Sequence, residues 1–191
     1  EVHADIHAVG MERVREPPSQ ATIRTSPPAS AAGDPRRLPE IPDHVPLRCV
    51  GRGAYGEVWL ARDVIGGFRA VKVVYRNTFV QDEPFEREFR GITKFTPISR
   101  LHPGWVDILH VGRNDAHGYF YYIMELGDDE TAGPQIDPDR YVPKTLAGEL
   151  RKRGHLRLTE CLTLGLELAD ALGHLHRHAL IHRHIKPSNV I

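Results

Sequence analysis

Three glycines, Gly51, Gly53 and Gly56, interrupt a stretch otherwise patterned as β-strand, and they constrain this chain more than any other feature. Leu47 to Val50 precede them and Val58-Trp59-Leu60-Ala61 follow, both rich in the branched and aromatic side chains that suit a pleated sheet. The same glycine spacing at the start of a helix would point to a dinucleotide-binding turn. Here Glu57 to Leu60 continue as strand, so the glycines join two strands of one sheet. Gly66-Gly67 predicts a hairpin turn into a further strand from Phe68 to Tyr75, which makes an antiparallel meander.

The pattern changes downstream. Asp82 is a predicted cap for a helix whose Phe85, Phe89 and Ile92 recur at helical spacing, a single apolar stripe that ends near Pro97. Trp105 to Val111 and Tyr119 to Leu126 read as two more strands, separated by Gly112 to Gly118. Five strands and one helix over 47–126 make a small α+β lobe. Gly127 to Lys144 holds Pro134, Pro138, Pro143 and four Asp, which predicts a solvated loop. A short helix is expected from Thr145 to Arg153. A longer one is expected from Glu160 to about His178, capped by Thr159 and ending in cationic residues that complement its dipole. Leu162, Leu164, Leu166, Leu168, Ala169, Leu172 and Leu175 cover more than one face of it, so it needs partners on several sides.

Residues 1–46 are of another kind. From Pro17 to Pro46 the chain is dominated by Pro, Ser and Ala, and few large apolar residues are available to order it, which predicts disorder. Lys plus Arg number 25, as do Asp plus Glu, and this balance excludes a general nucleic-acid or anionic-membrane binder. Only Cys49 and Cys161 are present, so neither a disulfide framework nor a paired-Cys metal site is expected, in keeping with a reducing cytoplasm. No apolar run approaches a membrane span, and Glu1 onward shows no signal pattern.

The chemistry concentrates in four motifs: Gly51-Arg52-Gly53-Ala54-Tyr55-Gly56-Glu57-Val58, Ala70-Val71-Lys72, Met124-Glu125-Leu126-Gly127, and His182-Arg183-His184-Ile185-Lys186-Pro187-Ser188-Asn189. In this order and at these distances they resemble a bacterial serine/threonine protein kinase domain, from its N-terminal lobe through its catalytic loop. The implied fold is protein-kinase-like α+β: a five-stranded antiparallel lobe with one helix, followed over 127–191 by the first helices of an incomplete helical lobe. The resemblance implies ATP and magnesium as cofactors and a protein Ser or Thr as substrate. It implies that Gly51, Gly53 and Gly56 cradle the phosphates, that Val58 and Ala70 roof the base, and that backbone groups of Glu125 and Gly127 bond the adenine edge. Lys72 would reach the α- and β-phosphates and pair with Glu88. Glu86 competes for that role, but Glu88 precedes Phe89 in the order the family uses. Lys186 falls where the family contacts the γ-phosphate, and Asn189 where it binds magnesium. Ala4 to Met11 further resembles the start of the helix that follows the family's activation segment.

One position departs from the pattern. His184 stands where the family keeps the catalytic Asp that accepts the substrate hydroxyl proton. An imidazole is bulkier, lacks a fixed negative charge and titrates near about 6.5. Losing a positioned base typically costs about a hundredfold to ten-thousandfold in rate. The motif series also stops at Ile191, ahead of the Asp-Phe-Gly segment and the substrate-binding helices of the family, so a truncated and impaired enzyme is expected. The alternatives are a pseudokinase-like module that binds nucleotide or a partner, and a non-functional remnant; self-association through the long apolar helix is expected of the chain as it stands. His174, His176, His178, His182 and His184 crowd the C-terminus, but only His174 and His178 share a helical face and no acid or Cys completes a metal set in sequence.

Overall fold

A computed structural model describes residues 38–191. The elements are β1 (His44–Gly53), β2 (Gly56–Asp63), β3 (Phe68–Tyr75), α1 (Asp82–Ser99), β4 (Ile108–Asn114), β5 (Tyr119–Met124), α2 (Leu146–Arg153) and α3 (Leu158–Arg177). The strands form one antiparallel sheet in the order β1-β2-β3-β5-β4. The α+β class expected from the sequence is therefore the one observed. Of the disorder predicted up to residue 46, residues 1–37 lie outside the described residues, as does the Ala4 to Met11 motif.

Register follows from alternation. Val58 pairs with Lys72 and Lys72 with Tyr122, so Ala70, Lys72 and Val74 share one face of the sheet with Phe120, Tyr122 and Met124. Helix α1 covers that face through Phe85, Ile92 and Phe95, and the Phe120 ring lies 5.1 Å from Phe85 and 5.3 Å from Phe89. The opposite face, with Ala61, Val71, Val73, Tyr119, Tyr121 and Ile123, closes under Ile41. Each fully buried side chain of this size contributes about 1.5–3 kcal/mol, so cover on both faces makes the sheet the stable centre of the fold. The hairpin at Gly66-Gly67 forms as expected, with Gly66 at a φ of +90° and Asp63 Oδ1 accepting from the Gly67 N–H at 2.7 Å.

Several boundaries differ from the sequence reading. The ordered lobe starts before Leu47: Ile41 is buried, the Glu40 N–H donates to the Tyr119 hydroxyl at 2.9 Å, and β1 begins at His44. The strand tolerates Pro46 because β1 is an edge strand and its pairing with β2 shifts register between Pro46 and Arg48. The N-cap position of helix α1 is Gln81 rather than Asp82, with no side-chain capping bond, and the helix runs past Pro97. Its end is held by tertiary structure, since the buried Ser99 hydroxyl donates to Thr96 O at 2.9 Å and accepts from the Ile108 N–H at 3.0 Å. Strand β4 starts at Ile108, leaving Trp105 to pack edge-on against Phe95. Helix α2 is capped by Thr145, whose hydroxyl accepts from the Gly148 N–H at 3.1 Å. The start of helix α3 is held by Glu160, whose carboxylate accepts from the Arg157 N–H at 2.8 Å and from the Arg157 guanidinium at 3.3 Å, and the predicted cap Thr159 lies inside the first turn.

The stretch 127–144 is a loop with much of its length exposed, as expected, but it is anchored by two buried residues, Asp129 and Tyr141. Asp129 is buried, and its carboxylate accepts from the N–H groups of Thr131, Ala132 and Val142 and from the Thr131 hydroxyl, each at 2.8 Å. These donors hold its carboxyl well below the usual carboxylate range. Tyr141 is among the most buried side chains of the described residues. Helix α3 buries Leu164, Ala171 and Leu175 but leaves Leu158, Leu162 and Leu166 exposed at 74%, 59% and 72%. The expected shortage of cover is thus confined to one stripe of the helix. Among the described residues no helix is long and apolar enough to cross a membrane.

Candidate active site

A cleft of about 490 Å³ opens between the first face of the sheet and the segment 182–191. The sheet supplies Gly51, Gly53, Val58, Ala70 and Lys72, α1 supplies Glu88, and the exit of β5 supplies Met124, Leu126 and Gly127. His184, Lys186 and Asn189 come in from below. The fold thus gathers residues scattered over most of the described sequence around one space. Of the predicted site residues, Gly56 and Glu125 do not line the cleft. The Glu125 side chain is exposed and its N–H donates to Asp107 O at 3.3 Å.

The loop glycines separate by what a Cβ would meet. At Gly56 it would stand 1.9 Å from Val73 O, so the close approach of β2 to β3 demands glycine there. At Gly51 and Gly53 the nearest atoms lie at 3.6 Å and 3.8 Å, so the fold itself has room for a side chain. What an added Cβ would obstruct is the cleft, and the Lys72 ammonium lies 4.0 Å from the Cβ site of Gly53.

Burial depresses the affinity of Lys72 for its proton, the neighbouring Lys186 depresses it further, and Glu88 opposes both. Burial likewise pushes the Glu88 carboxyl up, against the pull of His184, Arg87, Lys72 and Arg183. Glu86 turns away from the cleft, its two oxygens taken by Arg113 at 2.7 and 2.8 Å. The segment below is bonded to itself. The His182 ring is buried and stacks on Trp105 at 5.9 Å, its Nδ1 accepts from the His184 N–H at 3.3 Å, and Asn189 Nδ2 donates to His184 O at 2.9 Å. Arg183 takes a left-handed φ of 63°, a conformation that costs energy outside glycine and that turns the chain sharply before His184.

The protein kinase domain model matches residues 45–191. The chain belongs to the protein kinase domain family. It is 28% identical over 145 residues to serine/threonine-protein kinase PrkC of Bacillus subtilis, with 76% of this chain and 20% of the relative covered. Against serine/threonine-protein kinase PknA of Mycobacterium tuberculosis it is 28% identical, covering 75% of this chain and 31% of the relative. Against the DNA damage-responsive serine/threonine-protein kinase RqkA of Deinococcus radiodurans it is 30% identical, covering 76% and 19%. The chain therefore spans a third or less of the length of these relatives.

Some cleft residues went unnoticed in the sequence. Ile191 lies 3.1 Å from the Cβ site of Gly127 and forms the wall opposite the sheet, and its position two residues after Asn189 was the available signal. Tyr141 and Val142 also line the cleft, from a stretch whose prolines and acids gave no hint of a wall. The histidines reveal a grouping that spacing concealed. Asp170 bonds His102 Nε2 at 3.0 Å, and the His102, His174 and His178 rings follow at 5.1 and 4.7 Å. An acid does stand beside the helical pair, yet among the described residues no group of three such side chains is arranged to hold a metal.

Proposed function

We propose that residues 45–191 are the nucleotide-binding portion of an ATP-dependent serine/threonine protein kinase domain in which His184 impairs phosphoryl transfer. The observation that carries this reading is the open space at Gly51 and Gly53 above the buried Lys72 ammonium. Polyphosphate fits that pair of features, since bare backbone N–H groups approach from above and a desolvated cation waits below. Val58 and Ala70 give an apolar ceiling for a flat base, with Met124, Leu126 and Ile191 around it. Lys186 adds a second positive charge on the side of His184.

Asn189 would offer its Oδ1 to magnesium, since its Nδ2 is committed to His184 O. One amide oxygen does not make a magnesium site, so these residues fit the nucleotide better than the metal. At the base position, His184 cannot supply a fixed negative charge to orient a hydroxyl. The alternative, a module that binds nucleotide or a partner without transferring phosphate, rests on this one substitution and is not favoured by the kinase relatives. A Ser or Thr of a protein is the acceptor this reading implies, and the cytoplasm, where ATP is abundant, is its setting.

A thermal-shift titration with ATP tests the binding. The parent chain should be stabilised and Lys72→Met should lose the response; an equal response in both discards the reading. Transfer is tested with radiolabelled ATP and a generic protein substrate. Neither the parent nor His184→Asp should transfer detectably, because restoring the base adds no partner to the single amide oxygen of Asn189. Transfer by His184→Asp would show that the base was the sole defect.

A further inference from the structure

We propose that Tyr141 is a positioning residue which, clamped by Arg48, sets the backbone of Gly127 for recognition of an adenine edge. The proposal rests on the nucleotide reading above and adds to it a residue outside the four sequence motifs. Gly127 sits where β5 leaves the sheet and lines the cleft, and as a glycine it has the freest backbone of any residue there. Two contacts remove that freedom. Ile191 packs against its Cα side, and the Tyr141 hydroxyl donates to its carbonyl at 3.0 Å.

Tyr141 is itself immobilised. Its side chain is only 2% exposed, and its carbonyl accepts from Arg48 Nη2. Arg48 Nε donates to Pro138 O at 3.2 Å. Arg48 belongs to β1, just ahead of the glycine loop, so one guanidinium ties the roof of the cleft to the segment that holds its hinge. Behind Tyr141 the loop is closed by the Asp129 carboxylate and by Glu130 N–H to Val142 O and Lys144 N–H to Asp128 O, at 2.8 and 2.9 Å. Burial pushes the Tyr141 phenol above its ordinary range, so the hydroxyl keeps its proton and remains a donor. A loop needed only to connect β5 to α2 would not require a buried donor aimed at one glycine carbonyl.

Tyr141→Phe keeps the ring and removes only the donor. Two ligands separate positioning from general damage: ATP, which carries the base, and inorganic tripolyphosphate, which does not. ATP affinity should fall about threefold to tenfold, the equilibrium equivalent of one hydrogen bond, while tripolyphosphate affinity stays at the parent value. Hydrogen exchange of the unliganded chain should rise at the Gly127 and Asp128 amides and stay unchanged at Lys72. An equal loss for both ligands, or no loss for ATP, overturns the assignment. A parent chain that binds neither ligand defeats the nucleotide reading instead; raised exchange at Gly127 and Asp128 then sustains the clamp, and unchanged exchange there overturns it. Should Tyr141→Phe fail to fold, Arg48→Gln is expected to shift the same ATP-to-tripolyphosphate ratio in the same direction, and an unshifted ratio overturns the proposal.

Discussion

The sheet and helix α3 are both written in apolar residues, yet they finish differently. All six residues of β5 are buried, because a strand presents two faces and each has its cover, α1 on one side and the Ile41 segment on the other. Helix α3 presents its side chains all round. Leu175 and Ala171 join the main core, and Leu164 packs with Val190, but the stripe Leu158, Leu162 and Leu166 meets solvent. Two covers complete a strand, whereas a helix apolar on several faces needs more neighbours than residues 38–191 provide. The stabilising power of an apolar residue thus depends here on the element that carries it.

Breaking the sheet should cost most. Phe120→Ala removes a ring that touches both Phe85 and Phe89, and about 3–5 kcal/mol of stability should go with it in urea unfolding. Gly56→Ala comes next, at about 1–3 kcal/mol, since its Cβ would collide with Val73 O, whereas Gly53→Ala should leave the unfolding midpoint in place and weaken only the ATP-induced shift. Leu162→Gln with Leu166→Gln should change stability by no more than about 0.5 kcal/mol per site while lowering hydrophobic-dye binding and self-association in light scattering. Losses as large as that of Phe120→Ala would erase the contrast between strand and helix.

The smallest effect belongs to pH. The Arg153 guanidinium, with the Arg157 N–H and side chain, holds the Glu160 carboxyl down to about 2, against an ordinary value of about 4.3. A depressed carboxyl contributes stability that is complete above its unfolded value and is lost as pH falls toward the folded one. Helicity at the start of α3 should therefore decline between pH about 4.3 and about 2, and Glu160→Gln should flatten that limb in circular dichroism. An unchanged limb would mean that the cap contributes nothing.

Much of the fold was legible because its signals are local. The glycine turns, the alternation of β2 and β3, and the stripe of α1 act over a few residues, and the cleft residues came with their motifs. What stayed hidden depends on contacts distant in sequence. Pro46 reads as a strand breaker unless β1 is known to be an edge, and Ile41 belongs to a Pro-rich stretch until Tyr119 and Tyr121 lie beneath it. Asp129 reads as a solvated acid until three backbone N–H groups converge on it, and Tyr141 has no periodicity to mark it. The split between Gly53 and Gly56 requires the position of Val73.

The proline in β1 has a consequence for how copies of this chain meet. A sheet edge is a template on which a foreign strand can grow, provided it offers an unbroken row of donors and acceptors. On β1 Pro46 has no N–H to give, and at Arg48 the long cationic side chain is drawn across to the carbonyls of Pro138 and Tyr141. A ribbon of backbone is therefore discouraged from growing on the β1 edge, and the leucines that α3 shows to solvent are a stickier surface than that strand.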